Sequence, residues 1–331
     1  MPAKAGQFLS LNEAFANVVR SRDACLWPTR DTGRLEPVYE PVLAPRFRLR
    51  RGSTIFTIGS CFARNIEEHL APLGFDIPMA RFAVPESEWP ARPFARRAGI
   101  LNKYTPPSML QEVLQTLAIV REPGAIDRLT EGLLYPLGGG MALDLELGGH
   151  IAVTRERAHE RRRQVSEVFR RGFDADCVVI TLGLVECWFD RARQRFLQEA
   201  PNTPALRREA GRFVFKLLDL AETYATIREL TRCLLETGNP AKRILLTVSP
   251  VPLTATFSGM DVVIANGYGK SVLRAVAQSI RDEFDQVDYF PSYEMVTMSS
   301  DRSVWEHDLM HVADPFVRHI VETFVRAYVE A

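Results

Sequence analysis

Paired cysteines are missing from this sequence. Its five cysteines, Cys25, Cys61, Cys177, Cys187 and Cys233, are odd in number and form no Cys-x-x-Cys spacing. That excludes a disulfide-stapled secreted scaffold and favours a reducing, cytoplasmic setting. An excess of charge is missing too: 41 Lys+Arg balance 41 Asp+Glu. Nothing draws the whole molecule to nucleic acid or to an anionic membrane. No run approaches the roughly 18 apolar residues of a membrane span. The segment Met1–Ser10 has no apolar stretch of the kind a secretory leader needs. No Gly-x-Gly-x-x-Gly opens a helix after a strand, and Gly138-Gly139-Gly140 lacks a following Lys-Ser/Thr. A dinucleotide or phosphate-loop cofactor is therefore not expected. His307 and His311 stand four residues apart, but Trp305-Glu306-His307-Asp308 is no usual zinc pattern, and no metal is expected.

What is present is an ordinary globular composition over 331 residues, 46% hydrophobic and 25% charged. Residues 1–53 repeat proline at 28, 37, 41 and 45, which reads as an extended N-terminal strap. Residues 54–331 then read as one domain, with an insertion over about 76–170. The organised part opens with the β-rich run 54–58, stopped by Gly59. A helix over 61–73 follows, with Phe62, Ile66 and Leu70 on one face. The Leu143, Leu145, Leu147 alternation before Gly148-Gly149 suggests a β-hairpin, and a basic helix is expected from 155 to 169. Its cluster Arg161-Arg162-Arg163 reads as a solvated face. Strands are expected at 177–182, 243–248 and 287–290, and helices at 213–236, 270–284 and 315–328. Continuous apolar strands alternating with helices predict a three-layer α/β/α fold around a mostly parallel sheet.

In such a sheet, sites collect where strands end. Three polar clusters fall there: Gly59-Ser60, the stretch Gly183 to Glu186, and Asp308-Leu309-Met310-His311. Serine, histidine and aspartate are the minimal set for nucleophilic acyl transfer. Of six histidines, four fall in expected helices or the hairpin, leaving His307 and His311 in the late loop. Ser60 is the expected nucleophile. The alternatives are Cys61, a stronger nucleophile when deprotonated at a helix N-terminus, and no covalent chemistry at all.

The pentad Gly59-Ser60-Cys61-Phe62-Ala63 resembles the name-giving motif of the GSCFA family. Two further blocks are similar to it: Thr247 through Phe257, followed by Ala265-Asn266 and Lys270 to Arg274, and Asp308 to His311. Asn102-Lys103-Tyr104 is also family-like. The resemblance extends to the SGNH (GDSL-like) hydrolases, serine esterases and acyl transferases of α/β/α fold. It implies Ser60 as nucleophile, His311 as general base and acid, and Asp308 as the group orienting it. The implied oxyanion donors are the N–H of Ser60, Gly99, and an asparagine. Val185 stands where the wider group carries that asparagine, so Asn102 and Asn266 are the candidates. Glu186, Trp188 and Trp305 are candidate substrate contacts. The reaction implied is hydrolysis or transfer of an acyl group, acetyl on a saccharide being the first expectation. A non-catalytic binding or assembly module on the same fold is the alternative.

Overall fold

Four short apolar runs build the sheet, because each side chain along them alternates between two covered faces. They are β1 (Ile55–Gly59), β2 (Cys177–Leu182), β3 (Arg243–Val248) and β4 (Val287–Tyr289). In the computed structural model, which describes residues 4–89, 99–209 and 211–330, they pair in the order β1-β2-β3-β4, every pair parallel. The register is continuous: Ile55 pairs Cys177, Cys177 pairs Arg243, and Ile244 pairs Val287.

The alternation sorts the core into two. Ile55, Cys177, Val179 and Leu245 face α1 (Cys61–Leu70) and the closing helix. Phe56, Ile58, Val178, Ile180, Ile244 and Leu246 face the other side, with α2 (Pro106–Arg121), α3 (Arg155–Asp174), α4 (Leu220–Leu235) and α5 (Val262–Glu283). The closing helix α6 (Asp314–Tyr328) completes the first layer. The fold is therefore three layers, α/β/α, as the strand rhythm predicts. Among the described residues, no helix is long and apolar enough to cross a membrane.

Two three-stranded antiparallel sheets sit beside these layers. The first holds a hairpin of Leu134–Gly138 and Met141–Asp144, joined by Val153–Thr154. The expected hairpin over 143–153 is thus displaced toward the N-terminus. Gly138, Gly139 and Gly140 all take positive φ, which lets the chain reverse there, whereas Gly148–His150 form a helical turn. The second sheet, Arg195–Leu197, Glu186–Asp190 and Phe213–Leu217, corrects the helix expected over 213–236. The β-rich Phe-Val-Phe pairs as a strand, and α4 starts only after Asp219, which forms a reciprocal cap with Glu222. Helix α5 begins eight residues before the expected 270, because the Asp261 side chain accepts from the N–H groups of Val263 and Ile264. In the N-terminal stretch, Leu11–Arg20 is helical, starting from a Ser10–Glu13 capping box.

The basic cluster of α3 is also not what its charge suggested. Arg163 is exposed, but Arg161 and Arg162 are buried. Arg162 donates to both oxygens of Glu112 at 3.0 Å and to Asp144 Oδ1 at 2.7 Å. Lys103, equally buried, reaches Glu112 at 2.7 Å and the Glu146 carbonyl at 2.7 Å. Burial alone would depress Arg162, yet Asp144 and Glu112 hold it above its ordinary value. This paired network ties the insertion to the Asn102–Tyr104 loop, which lines the site.

Candidate active site

The carboxyl ends of β1, β2 and β3 open into a cavity of about 930 Å³. It is lined by Ser60 and Cys61 after β1, by Gly183, Leu184 and Glu186 after β2, and by Ser249 and Val251 after β3. Asp308 and His311 close one side from the loop before α6. Two glycines make the convergence possible. A Cβ on Gly59 would lie 2.6 Å from the Thr181 Cβ, and one on Gly183 would lie 2.7 Å from the Tyr104 carbonyl oxygen.

The Asp-x-x-His spacing produces a self-contained turn. Asp308 Oδ1 accepts from the backbone N–H groups of Met310 and His311, both at 2.9 Å. Its Oδ2 lies 2.5 Å from His311 Nδ1. Leu309, between them, takes a positive φ of 55°. The backbone N–H of His311, then its side chain, hold the Asp308 carboxyl down to about 2. With Nδ1 bound to Asp308, the imidazole presents Nε2 to the cavity.

The group that meets it is Cys61. A side-chain hydrogen bond with Cys61 is the largest influence on His311. Against the cost of burial, and with Asp308 assisting, it pushes the imidazole from an ordinary 6.5 up to about 9. Ser60 is placed differently. It is the N-cap of α1, but its side chain makes no capping bond. Its Oγ is buried and has no hydrogen-bond partner, so the Ser60–His311 bond expected from the triad pattern is not made. Cys61, the first residue of the helix, is half-buried. Helix pairing begins with the Ala63 N–H donating to the Ser60 carbonyl, so the Cys61 and Phe62 N–H groups have no intrahelical acceptor.

With this geometry in place, the family model for GSCFA matches residues 54–324, from just before β1 into α6. The chain belongs to the GSCFA family. No curated protein matches it. The GSCFA pentad itself thus spans the end of β1, the uncapped helix start and the thiol facing His311.

The remaining candidates of this GSCFA chain separate into two groups. Gly99, Asn102, Glu186 and Trp188 all line the cavity. Asn102 donates from Nδ2 to the Tyr104 hydroxyl at 3.2 Å, while its Oδ1 is buried without a partner. Glu186 accepts from the Thr256 hydroxyl and from the Phe257 N–H, so it fixes the loop that forms one wall. Trp188 packs edge-to-face on Phe257, with ring centres 5.0 Å apart. Asn266 and Trp305 do not line this cavity. Asn266 Oδ1 accepts from the Leu253 N–H, and Asn266 lines a small adjoining void that shares Gly183, Leu184, Glu186 and Leu253 with the cavity. Trp305 bridges to Val312 and packs on the core under α6. Sequence reasoning missed Arg64 and Gln198, which also line the cavity. Arg64 follows Cys61 by three residues on α1, a spacing that puts both on one face. Gln198, in the bend that follows Arg195–Leu197, carried no comparable signal.

Proposed function

We propose that this GSCFA protein is an acyl-transfer enzyme, an ester hydrolase or O-acyltransferase, in which Cys61 is the nucleophile. His311 is the acid and base, and Asp308 orients it. The convergence of Cys61, His311 and Asp308 on one cavity, with His311 Nδ1 bound to Asp308 and Cys61 the largest influence on the ring, carries this reading. A histidine raised this far above its ordinary value favours the imidazolium form at neutral pH. It is then a poor base for a serine hydroxyl but the natural partner of a thiolate. The buried, unpartnered Ser60 Oγ points the same way.

In the first half-reaction the Cys61 thiolate attacks the ester carbonyl. The carbonyl electron pair moves to oxygen, forming a tetrahedral oxyanion. The N–H groups of Cys61 and Phe62, with the Asn102 amide as side-chain donor, stabilise that charge. The intermediate collapses, the C–O bond breaks, and the leaving alkoxide takes the proton from His311. A thioacyl-enzyme results. In the second half-reaction neutral His311 removes a proton from water or an acceptor hydroxyl, which attacks the thioester. The acid or new ester departs and the thiolate–imidazolium pair is restored. A reducing cytoplasm would keep Cys61 in the reactive form.

The test is an activated ester followed by peptide mass mapping of the whole protein, with Ser60→Ala and Cys61→Ala compared to the parent. The expected result is an acyl adduct on Cys61, retained in Ser60→Ala and lost in Cys61→Ala. An adduct on Ser60 that survives Cys61→Ala would move the nucleophile back by one residue. No adduct in any variant would reject acyl transfer.

A further inference from the structure

The cavity around Cys61 has a charge balance that restricts what can enter. Its lining carries five carboxylates, on Glu186, Glu199, Glu306, Asp308 and Asp314, against two cations, Arg64 and His311. Each cation sits against a carboxylate, although Arg64 keeps Nε and Nη1 buried without partners. Arg64 Nη2 lies 2.8 Å from Glu67 Oε1, and His311 is bound by Asp308. Neither offers an unopposed positive charge to a phosphate or carboxylate, and the surrounding acids repel one.

The walls are apolar over much of their extent. Leu184, Trp188, Leu197, Leu253 and Phe257 all line the cavity, and Trp188 and Phe257 are in contact. Phe257 is itself exposed, and so are Met260, Val263 and Ile264 a few residues further along the chain. A cavity walled by apolar and aromatic side chains suits an apolar ligand. The volume, about 930 Å³, is also far larger than an acetyl group requires.

We propose that this cavity takes an electroneutral ester or thioester bearing a bulky apolar chain, laid along Trp188 and Phe257. The proposal deepens the acyl-transfer reading and rests on it for the ester bond. The apolar chain is carried either by the acyl group or by the alcohol. Neutral polyol esters fit this class; coenzyme A thioesters and phosphorylated alcohols do not.

Three measurements on the full chain test it. In the first, turnover of p-nitrophenyl esters from acetyl to decanoyl is compared with that of ethyl and octyl acetate. At least a tenfold rise in kcat/KM with chain length is expected in one of the two series, and that series identifies which side carries the chain. Trp188→Ala and Phe257→Ala should flatten the rise. In the second, octanoyl thioesters of N-acetylcysteamine and of coenzyme A share one acyl group and differ in charge. The neutral donor should be at least tenfold better at low salt, with the gap narrowing in high salt. In the third, calorimetry compares octanamide with octanoate, and needs no reaction. The amide should bind at least tenfold more tightly. Flat profiles in both ester series, or preference for the anionic partner in either pair, overturn the proposal. Octanamide binding without any adduct on Cys61 would instead leave the cavity assignment standing and reject the chemistry.

Discussion

Replacing Cys61 by alanine should lower the titration midpoint of a histidine that is 250 residues away in the chain. The imidazole of His311 is raised from 6.5 to about 9, with Cys61 the largest contributor, burial opposing, and Asp308 assisting. A rise of that size corresponds to roughly 3 kcal/mol of preference for the charged ring. The His311 side chain keeps 27% of its exposure, so solvent screening makes this an upper bound. Without the thiol, burial and Asp308 act in opposite directions, and the midpoint should fall toward 7. The ring C–H resonances of His311, assigned by comparison with His311→Ala, report it directly through a pH titration by NMR. A midpoint that stays near 9 in Cys61→Ala would refute the reasoning, because the thiol would then not be what holds the proton.

Two further substitutions follow from particular contacts. Arg162→Met leaves Glu112 and Asp144 buried beside one cation fewer, and breaking a buried pair of this kind costs about 3–5 kcal/mol, to be read from urea unfolding. Asn102→Ala removes the side-chain donor assigned to the oxyanion and should lower turnover roughly 100- to 1000-fold. Asn266→Ala, outside the cavity, should leave the chemical step within a few-fold of the parent, measured by single-turnover acylation.

The central sheet was legible because its information is local. Four apolar runs of three to six residues, each bounded by turn residues and separated by helical periodicity, already dictate parallel pairing and two covered faces. The second antiparallel sheet was not legible. Phe213–Leu217 abuts a strong helix, and a five-residue strand has no periodicity long enough to separate it from the helix that follows. Arg161 and Arg162 misled for a different reason. A run of three arginines on a helix ordinarily faces water, and it takes Glu112 and Asp144 for Arg162, and Glu88 for Arg161, to make burial of two of them possible.

The site divides along the same line. Asp308 and His311 are three residues apart, so their bond is a local turn that spacing alone can suggest. Choosing between Ser60 and Cys61 is different, because the two neighbours share one strand end, one helix start and one motif. What separates them is rotation about a single backbone step. The N-cap residue takes extended dihedrals, here φ −80° and ψ −169°, while the next residue is already helical. Both residues line the cavity, but the Ser60 hydroxyl is buried without a partner while Cys61 is the group that acts most on His311. A pattern of residue types contains no such rotation. A motif can therefore bring two candidate side chains to one helix start, and the dihedrals there, not the residue types, set how each is presented to the histidine.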